Sequence, residues 1–208
     1  MEVRNLAHKL AEGLAAMRLA LPADAQEKLL AYLDLLAKWN RTYNLTAVRD
    51  PQDMVARHLL DSLAVLPFVH GRSLADLGSG AGLPGIPLAI ARPDIAVTLV
   101  ESNGKKARFM REAIRSLPLA NVTVAQARVQ DTTGDFDTVT ARAFASLPDM
   151  LAWGGHLLAA SGRWLALKGH ADPAELAAVP REFRVLAVHA LEVPGTDGER
   201  CVVELARA

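Results

Sequence analysis

Cysteine is almost missing from this chain. Cys201 stands alone among 208 residues, so neither an internal disulfide nor a cysteine metal cluster is available. Its apolar setting, CVVEL, marks a buried inert thiol rather than a nucleophile. The six histidines show no metal-ligand spacing, and no metal is expected. Long apolar runs are also lacking: none approaches the roughly 20 residues of a membrane span. At the start, MEVRNLAHKLAEG has acids where a signal peptide would have an apolar core and a cleavage site. A cytoplasmic protein without a membrane partner is expected. Net charge is missing too, because 23 basic and 23 acidic residues cancel. Taken over the whole chain, that balance argues mildly against a nucleic-acid partner, which normally leaves a basic footprint.

The distribution of charge reads differently. Between Ser102 and Gln130 stand six basic residues, Lys105, Lys106, Arg108, Arg111, Arg115 and Arg128, against a single acid, Glu112. Of the residues 51% are apolar, enough at this length for one domain with an added segment. No internal repeat, low-complexity tract or disordered linker interrupts the pattern.

The chain is organised around LADLGSGAGLPG, Leu74 to Gly85. An apolar run ending at Asp76, followed by Gly78, Gly80 and Gly82, predicts a buried parallel strand turning sharply into a helix from about Ile86 to Ala91. Without a β-carbon, glycine lets backbone N–H groups approach a ligand and makes φ > 0 available to the turn. Two readings compete. GAGLPG, Gly80 to Gly85, fits the GxGxxG fingerprint of dinucleotide sites. DLGSGAG, Asp76 to Gly82, is similar to the acidic-plus-GxGxG loop of S-adenosylmethionine (SAM) methyltransferases. Register favours the second, since the dinucleotide frame starts four residues beyond Asp76 and has Pro84 near where pyrophosphate would sit.

Before this stretch the pattern is helical. One helix is predicted to about Leu19. A second has a capping-box-like start at Asp24 and Glu27, and a third opens at Asp50-Pro51 and carries Met54, Val55, His58 and Leu59 inward. From Ser73 strands and helices alternate, which predicts a parallel α/β sheet. The strands are Ser73 to Leu77, Ile95 to Glu101, Val122 to Gln126, Phe136 to Arg142 and Gly162 to Lys168. Helices are predicted at Lys105 to Leu117, from Leu147 toward Leu158, and at Asp172 to Val179. An antiparallel pair, Phe183 to Val193 and Arg200 to Ala206, closes the chain around PGTDGE. The expected division is a helical extension over 1–70 and a sheet domain over 71–208.

Several residues stand where chemistry would occur. Glu101 ends the second strand, where a carboxylate can accept from both ribose hydroxyls. Arg128, Val129 and Gln130 follow the third strand, where adenine would be bracketed. Arg142 ends the fourth, where ligands converge in open α/β sheets, and Ala143, Phe144 and Ala145 follow it. It could fix the cofactor or a phosphate, or simply pair with an acid. Lys168 and Gly169, ending the fifth, could meet phosphate. Trp39, Arg41, Tyr43 and Asn44 combine stacking surface with hydrogen-bonding groups, suited to an unstacked RNA base or, equally, to capping the helical layer. Arg57 and Asp61, at helical i,i+4 spacing, read as a surface pair. No Asn/Asp-Pro-Pro-aromatic motif for exocyclic amines, no Pro-Cys nucleophile and no evident general base is present. An acceptor such as guanine N7, which needs no deprotonation, fits a site that works by positioning and electrostatics.

Taken together, WNRTYNLT, RHLLDSL, DLGSGAGLPGIPLAI, RAFASL, ALKG and PGTDGER strongly resemble the RsmG family, also called glucose-inhibited division protein B, over nearly the whole chain. The resemblance implies a Rossmann-like class I SAM-dependent methyltransferase with a seven-stranded, mostly parallel sheet. It also implies transfer to guanine N7 in the decoding-region loop of 16S rRNA, with small-subunit RNA or the small subunit as partner, no DNA, and a monomer. It puts cofactor contacts on Gly78, Leu83, Val129, Gln130 and Arg142, to which the glycine loop and strand-end reading adds Gly80, Gly82 and Glu101. Gln130 stands where many relatives have an acid. RNA contacts are expected from Trp39, Arg41, Tyr43, Asn44, Lys105, Arg108, Lys168 and Arg200. A small-molecule methyltransferase, an NAD-linked oxidoreductase and a ribosome-assembly factor with a vestigial pocket are the rival readings.

Overall fold

The computed structural model describes residues 2–142 and 145–208; Ala143 and Phe144, part of the region after the fourth strand singled out above, lie outside the described residues. Two helices open it, α1 (Glu2–Ala16) and α2 (Ala23–Tyr43). On α2 the buried positions Ala25, Leu29, Tyr32, Leu33, Leu36 and Asn40 recur at helical spacing and form one stripe against the rest of the molecule. The expected capping box is absent. Pro22, at φ −63° and ψ 157°, is the N-cap, and Asp24 lies inside the first turn, because proline's fixed φ starts the helix two residues earlier.

Asp50 caps the next helix as expected, accepting from the Gln52 N–H at 2.8 Å. That helix is α3 (Pro51–Met54), which passes into a π-helical turn, Val55–Leu60, and ends as α4 (Asp61–Leu63). Widening the turn changes which residues share a face, so the predicted Arg57–Asp61 surface pair is not the pairing that forms. Asp61 is instead turned inward to other partners.

The sheet follows: β1 (Ser73–Leu77), α5 (Gly85–Ala91), β2 (Ala96–Val100), α6 (Gly104–Ser116), β3 (Val122–Ala125), β4 (Phe136–Arg142), α7 (Leu147–Gly154), β5 (Leu158–Lys168), α8 (Pro173–Ala177), β6 (Phe183–Ala190) and β7 (Cys201–Arg207). Strand order is β3-β2-β1-β4-β5-β7-β6. The first five strands run parallel, while β7 is antiparallel to both β5 and β6. As expected, the last two strands form an antiparallel pair, with β7 inserted beside β5. Strand β5 begins four residues before the predicted Gly162. A register shift against β4 between Phe136 and Thr138 absorbs the extra length, and Gly162 lies at this irregularity, where a β-carbon would press on the Phe136 carbonyl at 2.9 Å.

Helices cover both faces. One core joins α1 and α2 to β1, α5 and α6 through residues such as Leu10, Leu33, Leu74, Ile86 and Phe109. The other packs Met150 and Leu151 of α7 against Trp164 of β5. Trp164 and Leu165, neighbours in β5, belong to opposite cores, as the two-residue period of a strand buried on both faces requires.

Candidate functional site

Strand register assembles the site. Leu77 lies beside Val100 on β2 and Ala141 on β4, and Ala141 lies beside Ala166 on β5. The next residues along, Gly78, Glu101 and Arg142, therefore form a row at the carboxyl edge of the sheet, with Lys168 farther out on β5. Ligands bind at this edge of open parallel sheets, where the order reverses between β1 and β4.

Gly78, Gly80 and Gly82 all have positive φ, 65°, 60° and 88°. Their surroundings separate them. A β-carbon on Gly80 would find nothing nearer than the Gly78 carbonyl oxygen, 3.9 Å away, whereas one on Gly82 would collide with Ile86 and one on Gly85 with Leu99. Gly80 thus has open space, and Gly82 serves the turn onto α5. Leu83 is committed inward: its side chain is buried and its N–H donates to the Ser79 carbonyl at 2.9 Å.

Two carboxylates fix the loop. Glu101, 8% exposed, accepts from the Gly80 N–H at 2.9 Å through one oxygen and from the Asn103 N–H at 2.8 Å through the other. A carboxylate offers about four lone-pair sites, so each oxygen can still accept from a ligand hydroxyl. Asp76 is wholly buried. It accepts from the Gly85 N–H at 3.0 Å and the Thr140 hydroxyl at 3.0 Å, and burial pushes its pKa up to about 6. Its carboxyl group takes the N–H at the start of α5, where a pyrophosphate would need donors. The dinucleotide reading of GAGLPG loses its anion site to this internal acid. From below, Tyr32 of α2 donates to the Ala81 carbonyl at 2.7 Å, a support that no motif in the sequence announced.

The pair after β3 lies in a short 3₁₀ turn, Val129–Asp131, with Val129 buried and Gln130 exposed. On the acceptor side, Arg57, Asp61, Arg142, Lys168 and Arg200 converge on a cavity of about 420 Å³ that Cys201 also borders. Asp61 bridges two of the cations, accepting from Arg142 Nη1 and Arg200 Nε, each at 3.2 Å. Lys168 donates to the Ala145 carbonyl at 3.1 Å and to Glu175 at 2.7 Å. His58, on the π turn, is buried and pairs through Nε2 with the Thr46 hydroxyl at 2.9 Å. Desolvation, reinforced by Arg142's charge, brings its pKa down to about 4 and keeps the ring neutral.

The remaining RNA candidates are scattered. Lys105 and Arg108 are exposed on α6 and line another cavity of about 580 Å³ with Arg111. Trp39 packs edge-on against Phe109 at 5.6 Å and beside Tyr43 at 5.2 Å, so its ring belongs largely to the helical layer. Arg41 and Tyr43 are exposed. Asn44 is the left-handed C-cap of α2 and accepts from Arg49 at 2.7 Å. Its buried neighbour Asn40 ties the following loop through Val48 and Thr46.

Residues 25–203 match the model of the family GidB, described as rRNA small subunit methyltransferase G. The chain belongs to this family. A relative named ribosomal RNA small subunit methyltransferase G, from Xanthomonas campestris pv. campestris (strain 8004), is 58% identical over 93% of this chain and 92% of its own length. Another of that name, from Stenotrophomonas maltophilia (strain R551-3), is 56% identical over 96% and 94%. Among solved structures, the glycopeptide N-methyltransferase MtfA complexed with SAM is similar at a TM-score of 0.60 and 13% identity, over 73% of this chain and 96% of that one. The fold is that of the Rossmann-like SAM-dependent methyltransferases, with the helices α1 to α4 in front of the sheet.

Proposed function

We propose that this chain transfers the methyl group of SAM to N7 of one guanine in the decoding-region loop of 16S rRNA. The observation that carries the reading is the joining of Glu101 to the Gly80 N–H at 2.9 Å, because it couples a ribose-binding acid to the open stretch of the glycine loop. The residues present fit SAM. Glu101 has acceptor capacity left for the ribose hydroxyls, Gly78 and Gly80 admit close backbone approach, and Val129 with Gln130 offers a wall for adenine. Gln130 is exposed, so a backbone contact there would survive replacement of the usual acid. When bound, SAM supplies an electrophilic methyl group on a sulfonium.

Asp76 and His58, two titratable groups near the row, are poorly placed to remove a proton. Asp76 is sealed in the core, and His58 is held neutral against Thr46. An acceptor with a ready in-plane lone pair, guanine N7, needs no base, and this chain contributes orientation and charge. The cation-lined cavity beside Arg142 and the basic face of α6 support an RNA substrate over a small molecule, despite zero net charge. The protein acts in the cytoplasm as a monomer on this reading.

Methyl transfer from labelled SAM to small-subunit RNA and to subunits lacking the modification, followed by mapping of N7-methylguanine, tests this. Label at a single guanine is expected. SAM binding without transfer to any RNA form would overturn it in favour of the small-molecule or assembly-factor reading.

A further inference from the structure

Four cations surround the cavity at the carboxyl end of β4 and β5, and they come from separate parts of the chain: Arg57 from the π turn, Arg142 from β4, Lys168 from β5 and Arg200 from just before β7. Asp61 holds two of them without satisfying either. Its contacts to Arg142 and Arg200 are both 3.2 Å, longer than the roughly 2.7–2.9 Å of an unshared charge-assisted bond. A guanidinium carries five N–H donors. Arg142 gives one to Asp61. Arg200 gives Nε to Asp61 and turns Nη1 to the Glu199 carbonyl at 2.9 Å and the Asp197 carbonyl at 3.5 Å. Lys168 is already matched by Glu175, while Arg57 is exposed. Against Asp61 alone, the three arginines leave positive charge in excess.

We propose that this cavity is the seat of one phosphodiester of the RNA substrate, gripped by Arg57, Arg142 and Arg200, with Asp61 as the internal counter-ion that keeps two of the arginines aimed. The proposal rests on the RNA reading above. A phosphodiester presents a single charge on two outward oxygens, the shape that guanidinium forks grip. A volume of about 420 Å³ suits one backbone unit rather than a duplex. Arg142 and Gly78 directly follow the paired Ala141 and Leu77, so a phosphate here would hold its nucleotide close to the glycine loop.

The test is equilibrium binding of small-subunit RNA at a series of KCl concentrations for the whole protein and for Arg57→Gln and Arg200→Gln. Complete loss of this one phosphate contact would flatten the slope of log affinity against log salt by about 0.7–0.9, and removing one of its three arginines takes away a measurable part of that and weakens low-salt binding several-fold. Both variants are expected to show this while SAM affinity is retained. Arg57→Gln keeps the test interpretable should Arg200→Gln loosen the fold. Unchanged slopes in both variants, with methyl transfer intact in the parent protein, would overturn the cavity assignment and leave the proposed function standing. A parent protein that neither binds nor methylates RNA would overturn both. Tight binding of inorganic phosphate, lost in the variants while their RNA slopes stay unchanged, would assign the cavity to free phosphate and overturn the proposal.

Discussion

The hydroxyl of Tyr32, wholly buried on α2, donates to the carbonyl oxygen of Ala81 in the glycine loop at 2.7 Å. One helix thus carries both a support for the glycine loop and, two to three turns on, the exposed Arg41 and Tyr43. Replacing Tyr32 by Phe keeps the ring and strips the loop of its support, leaving a carbonyl unpaired at a cost of about 1–3 kcal/mol. SAM affinity should drop roughly three- to tenfold in calorimetric titration, and the melting temperature by several degrees. Undiminished SAM affinity would show that the loop holds its shape without Tyr32.

The loop glycines should fail in different ways. Alanine at Gly80 meets open space but must adopt φ 60°, a strain of about 1–2 kcal/mol, and its methyl group stands on the face offered to the ligand. Alanine at Gly82 adds a collision with Ile86 to the same strain. Gly80→Ala is expected to lose SAM binding by more than tenfold with a modest change in melting temperature. Gly82→Ala should lose more stability than Gly80→Ala. Thermal melts paired with SAM titrations check the order, and its reversal would refute the division of roles.

Asp76 and His58 pull the pH dependence of stability in opposite directions. Between the ordinary carboxylate value of 3.8 and about 6, folded Asp76 keeps a proton that the unfolded chain has released, so its contribution falls as pH rises. Between about 4 and the ordinary 6.5, folded His58 lacks a proton that the unfolded chain holds, so its contribution rises with pH. Each is worth roughly 3 kcal/mol at 1.36 kcal/mol per unit, and they nearly cancel. Asp76→Asn keeps an oxygen for the Gly85 N–H and removes only the first. Urea unfolding from pH 6.5 down to 4 should therefore destabilise the variant more steeply than the parent. Parallel profiles would mean that Asp76 is already charged in the folded protein.

Cys201 borders the cation-lined cavity, yet it is 8% exposed and burial pushes its thiol pKa up. The thiolate is the reactive form. Alkylation by iodoacetamide at pH 8 should be at least tenfold slower in the native protein than in denaturant, and Cys201→Ser should retain methyl transfer within about threefold. Rapid native labelling would show a more open site.

Much of the fold was legible locally. The apolar run of β1, the glycines after Asp76 and the cap at Asp50 depend on neighbours within a few residues. One local reading failed, because the capping box at Asp24 gave way to Pro22 two residues before it. The other failure was not local: β5 started early because a bulge against β4 absorbed its extra residues.

The site divides along the same line. Glycine spacing and strand ends named Gly78, Gly80, Glu101 and Arg142 from sequence alone, because a parallel strand delivers the residue after its last pair to one edge. Only the tertiary structure decided that Asp61 belongs to Arg142 and Arg200 rather than to Arg57. Those partners are 81 and 139 residues away in sequence, and a π turn sets the direction. Likewise, Tyr32 reads as an ordinary core aromatic until the helical layer is laid on the sheet, where burial obliges its hydroxyl to find the Ala81 carbonyl. The sequence determined which backbone turn can take a ligand, since that rests on absent β-carbons. Which charges neutralise one another, and which are left to meet a substrate, was settled by packing, because Coulomb interactions follow distance in space and burial rather than order along the chain.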